Sequence, residues 1–68
     1  MDITTVARIV RSIITDHGLP CALVLVQEDA QTFRITIRDE GHHVIRFDVV
    51  KGTAAHVREA VLAQLEPL

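Results

Sequence analysis

Tryptophan and tyrosine are absent from this 68-residue sequence, and phenylalanine occurs only twice. Any core must therefore be aliphatic, built from Val, Ile, Leu and Ala. Cysteine occurs once, at Cys21, which excludes an internal disulfide and fits a reducing compartment. A basic surplus is also missing. Seven Lys and Arg stand against nine Asp and Glu, a net charge of -2, which argues against a general polyanion binder. The longest uninterrupted apolar run, Cys21 to Val26, is far too short to span a membrane. Arg8 and Arg11 break up the apolar residues that follow Met1, and no small-residue cleavage site comes after a hydrophobic run. No signal peptide is read there, and a soluble, cytoplasmic protein is expected. Neither Cys-x-x-Cys nor His-x-x-x-His spacing occurs, and there are no repeats or low-complexity tracts.

What is present is a half-apolar composition, 49% hydrophobic, which excludes disorder. A chain of this length makes one domain, residues 1–68, whose single core supplies only about 3–5 kcal/mol. With no disulfide available, a partner subunit is a natural source of further support.

The first segment has helical period. Ile3, Val6, Ala7, Val10, Ile13, Ile14 and His17 form one stripe, with Ile9 outside it. Asp2 or Thr4 can cap the start, Gly18 is a left-handed stop, and Pro20 blocks continuation. This predicts a helix over about residues 3–17. Three strands follow, over about residues 21–28, 32–39 and 43–50. The first is continuously apolar. In the second, Phe33, Ile35 and Ile37 alternate with Arg34, Thr36 and Arg38. In the third, Ile45, Phe47 and Val49 alternate with Val44, Arg46 and Asp48. Gly52 ends the last strand, Thr53 caps a second helix over about residues 53–66, and Val57, Ala60, Val61 and Leu65 make its stripe. The expected fold is α+β in the order α-β-β-β-α: a three-stranded antiparallel meander with both helices on one face.

Pairing Ile37 with Ile45 also brings together Ile35 with Phe47, Phe33 with Val49, and Arg34 with Asp48. A slip of one residue would set Ile35 against Arg46. The first strand leaves its facing open. A two-residue turn turns Ala22, Val24 and Val26 toward the helices, and a three-residue turn exchanges them for Cys21, Leu23 and Leu25. Either way an apolar set faces away from the helices on an edge strand, which is a liability unless covered. The expected interface residues are therefore Cys21, Leu23, Leu25, Val24 and Val26, and the expected partner is a second copy in a homodimer, with another protein as a possible partner.

Three groups of residues can carry chemistry. His17, Cys21, Asp39, Glu40, His42 and His43 gather at one end of such a meander, and His17, Cys21 and His43 are the candidate metal ligands among them. Arg34, Arg38 and Arg46 share the face without helices, and Lys51 and His56 flank the start of the second helix. These five are the candidate anion-binding residues. No aromatic accompanies the arginines to stack a base, and a salt-bridged face is the expectation there. No cofactor is expected.

The element order resembles the double-stranded RNA-binding domain fold over nearly the whole chain. Gly41-His42-His43 resembles the Gly-Ser-His catalytic turn of HicA-type mRNA-interferase toxins, and Lys51-Gly52-Thr53 resembles the Gly-Thr that opens their last helix. The resemblance implies RNA binding or cleavage, with His42 and His43 as catalytic candidates. The sequence departs from these patterns at particular places. One Lys stands where the RNA-binding domains cluster several, Asp29-Ala30-Gln31 replaces their Gly-Pro-x-His loop, and the His pair precedes the third strand rather than the middle one. The first expectation is therefore a non-enzymatic self-associating or protein-interaction module. A nucleic-acid-binding or RNA-cleaving module is the alternative.

Overall fold

Helix α1, Ile3–His17, starts where Asp2 adopts an extended backbone and its carboxylate accepts from the Thr5 amide at 2.8 Å. It stops where Gly18 turns left-handed at φ 59° and the Leu19 amide reaches back to the Ile14 carbonyl at 3.0 Å, the bond of a Schellman cap. Val6, Val10 and Ile13 of its stripe are completely buried. The ends of the stripe differ from expectation: Ile3 and His17 are exposed. Ile9, expected outside the stripe, instead packs partly buried against the core. The computed structural model describes residues 1–68, and no helix in it is long and apolar enough to cross a membrane.

Strands β1 (Cys21–Glu28), β2 (Thr32–Asp39) and β3 (Val44–Val50) form one antiparallel sheet in the order β1-β2-β3, and helix α2 (Ala54–Leu65) closes the chain. The architecture is the α-β-β-β-α, α+β arrangement. Between β2 and β3 the register is the one chosen by side-chain pairing: Phe33 opposite Val49, Arg34 opposite Asp48, Ile35 opposite Phe47 and Ile37 opposite Ile45. Asp39 organises the turn that fixes it. Its amide donates to the His43 carbonyl at 3.0 Å, and its carboxylate accepts from the His43 amide at 2.9 Å. His42 closes the turn at φ 66°, a left-handed position that glycine usually fills.

Neither facing expected for β1 holds. Leu23 pairs with Ile37 and Leu25 with Thr36, so Val24 is an extra residue, a β-bulge. The bulge splits the strand into two halves of opposite alternation. Cys21 and Leu23 before it, and Val26 after it, all point to the helix side. Ala22 and Leu25 point away. The reason is packing: the bulge lets both halves of a continuously apolar strand send side chains into one core. Asp29 holds the hairpin below, its carboxylate accepting from the amides of Gln31 and Thr32 and from the Thr32 hydroxyl, each at 3.0 Å.

Thr53 caps α2, its hydroxyl accepting from the His56 amide at 3.1 Å. Val57, Val61 and Leu65 meet Val6, Val10 and Ile13 of α1 and Phe33, Ile35 and Ile37 of β2 in one core cluster. With all the helical mass on one side, the opposite face of the sheet is bare.

Candidate functional site

The bare face follows from strand alternation. Arg34, Thr36 and Arg38 of β2 project from it, flanked by Leu25 of β1 and by Val44, Arg46, Asp48 and Val50 of β3. Arg34 Nε donates to Asp48 Oδ1 at 3.0 Å, and Nη2 reaches Oδ2 at 3.4 Å. The Asp48 hydrogen bond and charge hold the guanidinium firmly protonated. Arg38 and Arg46 make no ion pair. Three arginines and one aspartate here leave four basic and eight acidic residues for the rest of the chain, out of seven and nine in all. The acidic protein thus carries a locally basic face.

Thr36 lies at the centre of that face, opposite both Leu25 and Arg46. It is 3% exposed, and its hydroxyl has no hydrogen-bond partner. Neighbouring side chains cover it without satisfying it, which is an energetic cost held within the surface. Around it, Val24, Leu25, Val44 and Val50 are exposed, Val50 the most at 61%.

The bulge redistributes the residues expected to form an interface on β1. Val26 belongs to the core, and Cys21 and Leu23 pack against it, so these three are not presented outward. Val24 and Leu25 remain exposed.

At the turn end of the sheet, Leu19, Pro20, Cys21, Ala22, Arg38, Asp39, Glu40 and His42 line a shallow, open cleft of about 420 Å³. His43 Nδ1 lies 3.3 Å from Asp39 Oδ2, and its side chain is well exposed. The His43 amide holds the Asp39 carboxyl below the usual aspartate range, with the imidazole assisting. Burial pushes the Cys21 thiol up, and the Asp39 charge adds to it, which disfavours a thiolate nucleophile. No three His, Cys, Asp or Glu side chains anywhere in the chain lie close enough to hold a metal ion. His17, Cys21 and His43 accordingly form no ligand set, and His17 does not line the cleft.

Lys51 and His56 do not join the arginines. The Lys51 ammonium binds the Glu28 carboxylate and sits 5.2 Å from the centre of the Phe33 ring, on the helix side of the sheet. It locks the β3 end to the β1–β2 hairpin, with its amide donating to the Gln31 carbonyl at 2.9 Å. The His56 ring lies over Gly52, where an added Cβ would come within 2.9 Å of it. Of the five anion-binding candidates, Arg38 and Arg46 are the pair left without a carboxylate on the bare face.

The bulge, the buried Thr36 and the Lys51 clamp were not legible in the sequence. The six consecutive apolar residues of β1 gave no alternation from which to place a bulge. Comparison of the chain with protein-family models, with curated proteins and with solved structures finds no match.

Proposed function

We propose that this protein is a non-enzymatic self-associating module that works as a homodimer. The observation that supports the reading is the concentration of exposed aliphatic side chains, Val24, Leu25, Val44 and Val50, on the bare face and edges of one small sheet. A core of eleven buried side chains is small, and covering part of this apolar surface would add hydrophobic stabilisation of about 25 cal/mol per Å² covered. Sedimentation equilibrium from low to high micromolar concentration tests it. The expected result is an average mass rising above the 7.6 kDa of one chain toward twice that value. A mass that stays at one chain across the range overturns the reading.

A second reading is a nucleic-acid-binding or RNA-cleaving module of the double-stranded RNA-binding type. The observation in its favour is that Arg38 and Arg46 are unpaired cations on an open face of this element order. Fluorescence anisotropy with a labelled RNA duplex separates the two. Binding that weakens steeply with salt supports the second reading, through counterion release, and no binding at low salt removes it.

A further inference from the structure

We infer that the outer edge of β3 is the seam of the homodimer, pairing antiparallel with β3 of a second copy about a two-fold axis at Phe47. The inference rests on the self-association reading and adds the surface and register to it.

The free backbone groups come first. Asp39 donates to the His43 carbonyl and Lys51 to the Gln31 carbonyl. Hydrogen-bonded pairs alternate along an antiparallel ladder, so Ile45, Phe47 and Val49 direct their amides and carbonyls to β2. Val44, Arg46, Asp48 and Val50 therefore direct theirs outward, where no strand receives them. The other edge is unsuited to the same use, because the bulge at Val24 interrupts it. β3 is regular throughout.

The side chains then choose the register. With Phe47 on the axis, Arg46 stands opposite Asp48 of the second copy, and Asp48 opposite Arg46, so each Asp48 carboxylate, already bound by Arg34 of its own chain, gains a second arginine across the seam. Val44 stands opposite Val50, and Ile45 opposite Val49. Each outward-directed residue meets another outward-directed residue, so the hydrogen bonds and the charges agree on one alignment. A slip of two residues in one direction sets Arg46 against Arg46; in the other it sets Asp48 against Asp48. A slip of one residue puts Arg46 opposite an apolar residue of the helix side. Val44 and Val50, both largely exposed in one chain, meet at the ends of the seam, and the half-buried Phe47 meets its own copy at the centre. Arg58 reaches Asp16 on α1 at 3.7 Å, so the opposite flank of α2 lies toward the second copy, and at helical spacing that flank carries His56, Ala60, Ala63 and Gln64.

Charge-switched variants test the seam. R46D makes the edge wholly acidic and D48R makes it wholly basic; D48R also removes the carboxylate that Arg34 binds within the chain, so thermal unfolding of both variants is read beside their association. Sedimentation of each variant alone should show dimerisation at least about tenfold weaker than wild type, because like charges now stand opposite one another. An equimolar mixture should recover association as a one-to-one heterodimer. Wild-type dimerisation that either variant reproduces alone, or a mixture no tighter than its components, overturns the seam and leaves self-association standing. A wild type that stays monomeric removes both. Oxidation of the double variant V44C/V50C, with the free Cys21 removed by Cys21→Ser, gives an independent reading. In this register the two positions face each other across the axis at about 5.5 Å between Cα atoms, within disulfide reach, whereas within one chain they lie at opposite ends of β3. A covalent dimer is expected, and a product that stays monomeric overturns the seam.

Discussion

Thr36 shows how a single atom can oppose the stability of its surroundings. Its hydroxyl is buried on the outer side of the sheet and has no partner, so it has lost water without gaining a protein bond. Thr36→Val keeps the branched shape and removes the polar atom. The variant should be more stable by about 1 kcal/mol, which thermal unfolding would show as a rise of roughly 4–8 °C in a domain of this size. An unchanged or lower midpoint would mean that the hydroxyl is satisfied in solution. The sequence placed Thr36 on the correct face by alternation alone. Its burial was invisible, because that depends on how Leu25 and Arg46 lie across it from two other strands.

At the scale of elements, the ends carry the information. Gly18 is needed for its left-handed backbone and for nothing else, since an added Cβ would meet no atom within 4 Å. Gly18→Ala should therefore destabilise by about 1 kcal/mol, a purely conformational cost readable by urea unfolding. Three aspartates share a second task. Asp2 at the start of α1, Asp29 in the first hairpin and Asp39 in the second each accept backbone amides, which lowers each carboxyl below the ordinary value of 3.8. A lowered folded-state value means that their contribution is complete above 3.8 and disappears as pH falls through the lower folded values. The melting temperature should be level near neutrality and drop below about pH 4. Asp29→Asn and Asp39→Asn should each make that drop shallower, and an unaltered acid limb in both would show that these turns are not the acid-labile points. The helix caps and the β2–β3 register were legible because each rests on local rules: a capping side chain, a glycine stop, and alternation that matches on both strands. β1 was not legible, because its run of apolar residues satisfies either facing equally and only the shape of the core decides between them.

For the whole molecule, asymmetry is the main outcome. Both helices lie on one side, eight of the nine acidic residues lie off the bare face, and that face holds three arginines with one aspartate. The anion-binding candidates lie in two separate places. Lys51 went to the helix side to bind Glu28, while Arg38 and Arg46 stayed on the bare face. The turn-end His, Cys and Asp side chains lie on the rim of one open cleft, but they form no ligand cluster. No local pattern separates these outcomes, since a strand end such as Lys51 reads the same whichever neighbour its long side chain finds.

The irregularity at Val24 also bears on how far an assembly can grow. A sheet with two straight borders can add copies without limit, as fibrils do. Here one border is straight and the other is broken, so joining at the straight one leaves only broken borders outside. In the proposed dimer growth would then end after one addition, with the extra residue as the terminator of polymerisation.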